Sequence, residues 1–237
     1  NSDTLDPGII YNTAGVFTEY LPIVSNPNIS IYDGSALNGD TNHTFAFAPI
    51  IFTTNDTPQL FFSTYSSGTY GITDSIICST FPEQIRFFDI DVDGLMDVSY
   101  VAGQKLICRK NLGPGQWSDE IIILEQTGFI RNYQWRLEGG LSRMLYFSEP
   151  TIYNATVNSD FDLTINDTLV YADLNDAQFL LAPESIAGEY AMFFASSYCD
   201  CIRVNKLISN QLIPNGNPVA NDIPSGQIYC IGDLNSD

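Results

Sequence analysis

Apolar residues along the chain come in short runs rather than at helical spacing. Residues 45–54, 60–65, 98–102, 120–124, 144–147 and 190–195 are rich in Phe, Tyr, Ile, Val and Thr, side chains that fit a pleated, half-buried surface. No long stretch repeats apolar positions at i, i+3, i+4 and i+7, as an amphipathic helix requires. Gly, Pro, Asn, Asp and Ser cluster between the runs, where turns need backbone freedom or a preset φ. The pattern predicts an all-β chain of many short antiparallel strands.

One segment type recurs. Residues 52–63, 88–99 and 172–182 each place a polar loop between apolar strands, and residues 232–237 repeat its first part. The loops start at Thr53, Asp89, Asp173 and Asp233, intervals of 36, 84 and 60 residues. The longest interval has room for a degenerate copy near residues 137–145. Repeats of this order suit the blades of a β-propeller, each a small sheet stacked on the next. Residues 1–237 are read as one propeller-type region, clearest as a blade at 88–130. The sequence stops inside a loop and opens on Asn1-Ser-Asp3-Thr-Leu-Asp6-Pro-Gly8, which resembles the remainder of one. It is therefore expected to be part of a longer array or a larger propeller.

The copy at 88–99 carries the chemistry. Asp89, Asp91, Asp93 and Asp97 occupy loop positions 1, 3, 5 and 9, with Gly94 at position 6. In a tight loop the odd positions can turn their carboxylates toward one centre, and glycine lets the backbone reverse. Carboxylates so close repel one another without a cation. Calcium takes six to eight oxygens, so backbone carbonyls, that of Leu95 first, and water would complete its shell. The loop is not an EF-hand: position 12 is Tyr100, and the flanks Phe87, Phe88, Val98 and Tyr100 read as strands. The competing reading is a solvated acidic turn. Asn158, Asp160, Asp162 and Asn166 repeat the spacing more weakly, without the glycine.

Charge narrows the function classes. The chain has 28 acidic and 9 basic residues, a net charge of -19. That argues against nucleic acid, whose phosphates need Lys and Arg, and against an anionic membrane surface. No apolar run of about 20 residues is present to span a bilayer. Cys78, Cys108, Cys199, Cys201 and Cys230 lack zinc-site spacing and have one histidine for company. They suggest disulfides, guessed from proximity as Cys78 with Cys108, and Cys199 or Cys201 with Cys230. Asn28, Asn42, Asn55, Asn154 and Asn166 each begin an Asn-x-Ser/Thr sequon. Together these features predict a secreted or cell-surface protein.

Catalysis finds little support. The single histidine, His43, lies inside a sequon, and no Gly-x-Ser-x-Gly elbow exists. A glycosidase needs only two carboxylates, but nothing marks a pair. Arg131, Arg136 and Arg143 crowd with Tyr133, Trp135 and Glu138. Such a group forms either a sugar or carboxylate pocket or a set of ion pairs with nearby acids. Trp117 reads as a blade-turn anchor.

The stretch Asp89-Ile-Asp-Val-Asp-Gly-Leu-Met-Asp-Val-Ser-Tyr-Val, followed by Arg109-Lys-Asn-Leu-Gly-Pro-Gly-Gln-Trp117, resembles an FG-GAP or VCBS repeat. Such blades open on a DxDxDGxxD loop and carry a later Asn-x-Gly-x-Gly-aromatic turn, matched by Asn111, Gly113, Gly115 and Trp117. The resemblance covers about 30 residues. It implies an integrin-α-like propeller with calcium held by Asp89, Asp91, Asp93 and Asp97, and a partial second loop at Asp233, Asn235 and Asp237. The other copies depart from it, holding Phe61 and Leu181 where the last ligand should stand. The expectation is a non-catalytic, calcium-binding extracellular module with a structural or adhesive role, contacting protein or glycan. Alternatives are self-assembly into a filament or matrix, a lectin-like propeller with Arg136 and Trp135 near a sugar, and the non-catalytic part of a carbohydrate-active enzyme.

Overall fold

The computed structural model describes residues 8–13, 16–22, 29–36, 43–49, 57–66, 69–170, 178–183, 189–196, 201–208, 211–213 and 218–220. Among these, regular structure is entirely β. Strands β1 (Gly8–Thr13) and β2 (Val16–Pro22) pair antiparallel. Next, β3 (Ile29–Ala36), β4 (His43–Pro49), β5 (Gln59–Ser66) and β6 (Thr69–Ile77) form a four-stranded sheet in chain order. A second sheet joins β7 (Glu83–Phe88), β8 (Asp97–Ala102) and β9 (Lys105–Arg109). The hairpin of β10 (Asn111–Gly113) and β11 (Gln116–Trp117) interrupts it before β12 (Ile121–Glu125) closes it beside β9.

A third sheet runs β13 (Ile130–Glu138), β14 (Leu141–Ser148), β15 (Thr151–Val157), β16 (Leu163–Val170). The fourth holds β17 (Gln178–Pro183), β18 (Glu189–Ser196), β19 (Cys201–Ile208) and β20 (Gln211–Ile213), with β21 (Pro218–Ala220) also on β19. The chain divides into two compact units, Asn1–Leu124 and Glu125–Asp237. The apolar runs of the sequence fall on β4, β5, β8, β12, β14 and β18.

First strands begin at Ile29, Glu83, Ile130 and Gln178, intervals of 54, 47 and 48 residues. That is the repeat of about 40–50 residues expected of propeller blades, but the recurring polar segments do not mark it. The segment at 52–63 lies between the second and third strands of its sheet, that at 88–99 between the first and second, and that at 172–182 ahead of the first. Their likeness is that of turns in general. The clearest blade starts at β7, five residues before the expected 88. Between β13 and β14, where the second sheet has its acidic loop, the connection is Gly139-Gly140 with φ of +62° and +76°. Two residues of positive φ make the tight hairpin whose twist matches its strands, and leave no room for a ligand loop.

In the first unit β3 lies against β7, and in the second β13 lies against β17, so neighbouring sheets meet along their first strands. Leu60 and Phe62 of the first sheet pack with Cys78 and with Ile85, Phe87, Val98, Tyr100 and Ile107 of the second. Trp117, on β11, reaches back to this seam. Its ring stacks on Phe62 at 4.9 Å and 7°, and its Nε1–H donates to Asp74 Oδ2 at 3.2 Å. Glu120 Oε1 accepts from the Ser79 N–H (2.7 Å) and the Tyr100 hydroxyl (2.8 Å). Trp117 is thus the anchor the sequence suggests.

Strand alternation corrects the cysteine pairing. Ile107 joins the seam with Cys78, so Cys108, the next residue, points to the opposite face. Both thiols are free and buried, and burial raises both above the usual thiol range, which keeps them protonated and inert. Cys199, Cys230 and the side chain of Cys201 lie outside the described residues.

The same alternation separates Trp135 from Arg136, so they do not share a sugar site. Arg136 stands directly opposite Arg143, a costly pairing of like charges. Glu138 Oε2 lies 3.4 Å from Arg136 Nε and 3.7 Å from Arg143 Nε. Arg136 Nη2 also donates to Asn154 Oδ1 at 2.9 Å, and Arg131 pairs with Glu149 at 2.9 Å. The arginines therefore answer local acids and amides.

Asn154 cannot be the glycan acceptor its sequon suggests, because its side chain is fully buried. Asn166 is exposed on β16, its amide oxygen oriented toward the Thr156 N–H (3.1 Å) and Arg143 Nη1 (3.3 Å). Asn28, Asn42 and Asn55 lie outside the described residues. Folded protein from a glycosylating host should show Asn154 unmodified in peptide mass maps. Trp117→Ala should lower stability by about 3 kcal/mol, read as a lower urea midpoint at unchanged slope; an unmoved midpoint would contradict the clasp.

Candidate metal centre

The β7–β8 connection is built around its first and last carboxylates. Asp89 Oδ1 accepts the Asp93 N–H at 3.0 Å and its Oδ2 the Gly94 N–H at 2.9 Å. These bonds fold the loop back over its start. Gly94 turns at φ +91°, a conformation that L side chains rarely adopt. Val92 is held at φ +61°, which for a β-branched residue stores strain of about 1–3 kcal/mol.

Asp97, at the start of β8, is fully buried. Its Oδ2 accepts the Ile90 N–H at 3.0 Å and its Oδ1 the Asn111 N–H at 2.9 Å. Asn111 donates Nδ2–H to the Met96 carbonyl (3.2 Å) and accepts the Gly113 N–H at Oδ1 (3.0 Å). One buried carboxylate therefore ties loop, strand and β10–β11 hairpin together. In this chain the acidic loop and the Asn-x-Gly-x-Gly turn are thus joined through one side chain.

Asp89, Asp91 and Asp97 each place one carboxylate oxygen within 4.8 Å of the others. Two ligands on opposite sides of calcium stand about 5 Å apart, so the three fit one coordination sphere. The Asp91 side chain is 4% exposed, and its Oδ1 is buried with no hydrogen-bond partner. A buried anionic oxygen left so is costly. A set of carboxylate oxygens suits a hard cation and offers nothing to metals that prefer nitrogen or sulfur.

Asp93, expected as a fourth ligand, is not in the group. Its Oδ1 accepts the Leu95 N–H at 2.9 Å, and its Oδ2 faces Lys110 Nζ at 3.1 Å. Lys110 Nζ also donates to Asp91 Oδ2. Leu95, expected to offer its carbonyl, stands in the turn that holds Asp93. Lys110 is the residue the sequence reading missed. Its signal is a cation directly before Asn111, legible only once the two turns are known to touch.

Charge balance in the loop is uneven. Burial pushes the Asp97 carboxyl up to about 7; the backbone donors Asn111 and Ile90 oppose this, and the Asp91 and Asp93 charges add to it. Burial also acts against Asp93, but the Leu95 N–H and Lys110 outweigh it and hold that carboxyl below its ordinary value. The bonds to Asp91 and Asp93 raise Lys110.

The weaker 158–166 spacing closes on itself. Asn158 Oδ1 accepts the Asp160 and Asp162 N–H groups at 3.0 and 2.8 Å, while Asn166 sits on β16 against Thr156. Asp233, Asn235 and Asp237, like the loop residues Thr53, Asn55, Asp173 and Asn175, lie outside the described residues.

Asp97 sets a pH dependence. Its folded value, about 7, lies above its ordinary 3.8, so protonation favours the fold. The contribution is complete below about pH 4 and is lost as pH rises through 7. Metal-free protein should therefore melt higher at pH 5 than at pH 8, and Asp97→Asn should flatten that slope. Asp93 and Glu120, both lowered, act in the opposite sense only below their ordinary values, outside this window.

No protein-family model matches the chain, and no curated protein matches it. Among solved structures it is similar to BBS1N, crystallised in complex with ARL6DN. In a lead-soaked crystal the TM-score is 0.55 at 15% identity, covering 81% of this chain and 56% of that one; in a mercury-soaked crystal it is 0.53 at 14%, covering 79% and 55%. It is also similar to an exo-β-1,3-galactanase from Phanerochaete chrysosporium solved with galactose, at TM-score 0.50 and 12% identity, covering 91% of this chain and 53% of that one. The chain thus spans just over half the length of these structures. Both proteins are β-propellers, and with its antiparallel four-stranded sheets and no helix among the described residues, this chain has the β-propeller fold.

Proposed function

We propose that this chain is a non-catalytic propeller segment of FG-GAP/VCBS type. In this reading the loop of Asp89, Asp91 and Asp97 binds one calcium ion as a structural rivet, and the molecule serves an adhesive or structural role outside the cell. The observation that carries it is the convergence of three carboxylates, with the buried Asp91 Oδ1 lacking a partner. Calcium would give that oxygen its partner and remove the repulsion that raises Asp97. Asp93 would join through water or by turning from Lys110. The ion would then fix the β7–β8 turn against the β10–β11 hairpin, and through Trp117 the seam between two sheets.

An extracellular setting is supported by the acidic chain and by the exposed sequon at Asn166. Extracellular calcium modules bind with Kd of about 0.1–1 mM, within reach of an ion that is plentiful there. Protein or glycan on the propeller surface remains the proposed partner class. The lectin-like alternative loses its motive, since Trp135 and Arg136 lie on opposite faces of β13. The galactanase likeness speaks for fold alone.

Melting with calcium and with EDTA tests the reading. Calcium at 100 times its Kd should stabilise the protein by about 2.7 kcal/mol, and Asp91→Asn should abolish most of that gain while leaving the fold intact. Superimposable curves with and without EDTA would refute it.

A further inference from the structure

We infer that Lys110 is a resident cation of the acidic loop, which a bound metal must displace. Its ammonium thereby sets how tightly the loop takes metal. The inference rests on the calcium reading above and concerns the regulation of that same site.

Lys110 Nζ contacts Asp91 and Asp93 together. Asp91 belongs to the group of three convergent carboxylates, so the ammonium, on Asp91 Oδ2, holds one of the carboxylates an ion would need. Its other oxygen, Oδ1, is buried and lacks a hydrogen bond, which makes the lysine an incomplete answer to the site's charge. One ammonium on two carboxylates also leaves Asp97 to repel its neighbours. A divalent ion and an ammonium cannot keep the same carboxylate at full strength, because like charges that close repel. The Lys110 side chain is 30% exposed, so a path to water is open to it when the ion arrives.

The backbone of Lys110 gives this exchange a reach beyond the loop. Its N–H donates to Ser118 Oγ at 2.9 Å, and its carbonyl accepts the Ser118 N–H at 2.9 Å. These bonds close the base of the β10–β11 hairpin that carries Trp117 to Phe62 and Asp74. The lysine thus holds loop and hairpin together when metal is absent, and the ion takes over that role when present.

Lys110→Met, which keeps the stem and removes the charge, tests this by calcium titration calorimetry and by melting in EDTA. The expected result is calcium affinity about tenfold higher than in the natural protein, with a lower melting temperature in EDTA; Lys110→Arg should return both toward the natural values. Equal or weaker affinity in Lys110→Met would overturn the inference and leave the calcium reading standing. Binding by Lys110→Met alone would sustain the inference and overturn the calcium reading of the natural chain. Binding by neither would remove both. A second measurement uses the natural protein: acylation of Lys110 by an N-hydroxysuccinimide ester, followed by mass spectrometry, should run several-fold faster in calcium than in EDTA. An unchanged or slower rate would overturn the displacement.

Discussion

Carboxylates held close together must be compensated, and much of the second sheet is arranged around that requirement. Asp97 is the pivot. Fully buried, it receives one backbone N–H from the loop and another from the following hairpin. Each of these bonds favours its charge, while burial and the charges of Asp91 and Asp93 oppose it. The balance lies near neutrality, so the site is sensitive to whatever cation approaches. Lys110 offers one positive charge from within the chain, and a metal ion offers two from outside. Under the proposed reading the two would compete for the Asp91 carboxylate, whose Oδ2 the lysine holds.

That hairpin turns local chemistry into longer-range order. Its base carries Trp117, which stacks on Phe62 and bonds to Asp74 of the neighbouring sheet. Anything that loosens the loop therefore loosens the Trp117 clasp on the seam. Tyr100 and Glu120 reinforce the same seam with a hydroxyl–carboxylate bond. The third sheet meets its own charge problem with fixed residues. Arg136 and Arg143 face each other across β13 and β14, with the Glu138 carboxylate beside both, Asn154 accepting from Arg136 and Thr156 accepting from Arg143.

Some of this is written locally. Apolar runs rich in β-branched and aromatic residues place β4, β5, β8, β12, β14 and β18, because strand propensity and burial act over a few residues. The 1-3-5-9 spacing of carboxylates with Gly94 marks the loop for the same reason: backbone reversal and the convergence of odd positions are properties of one short segment. Trp117 could be assigned as an anchor from its place after the Gly-rich turn.

What the chain's order of residues determined by itself is therefore the β class and the place of the acidic loop. Tertiary structure alone decided the rest. Recurring turns look equivalent along the chain, but strand pairing puts them at three different places in their sheets. Alternation along β9 and β13 sent Cys108 away from Cys78 and Arg136 away from Trp135, and burial closed Asn154 to a glycan. Lys110 joined Asp91 and Asp93 across 19 and 17 positions of sequence. Each of these depends on which face a side chain occupies and which segment lies opposite. Those are consequences of pairing between distant strands, and no local window contains both partners.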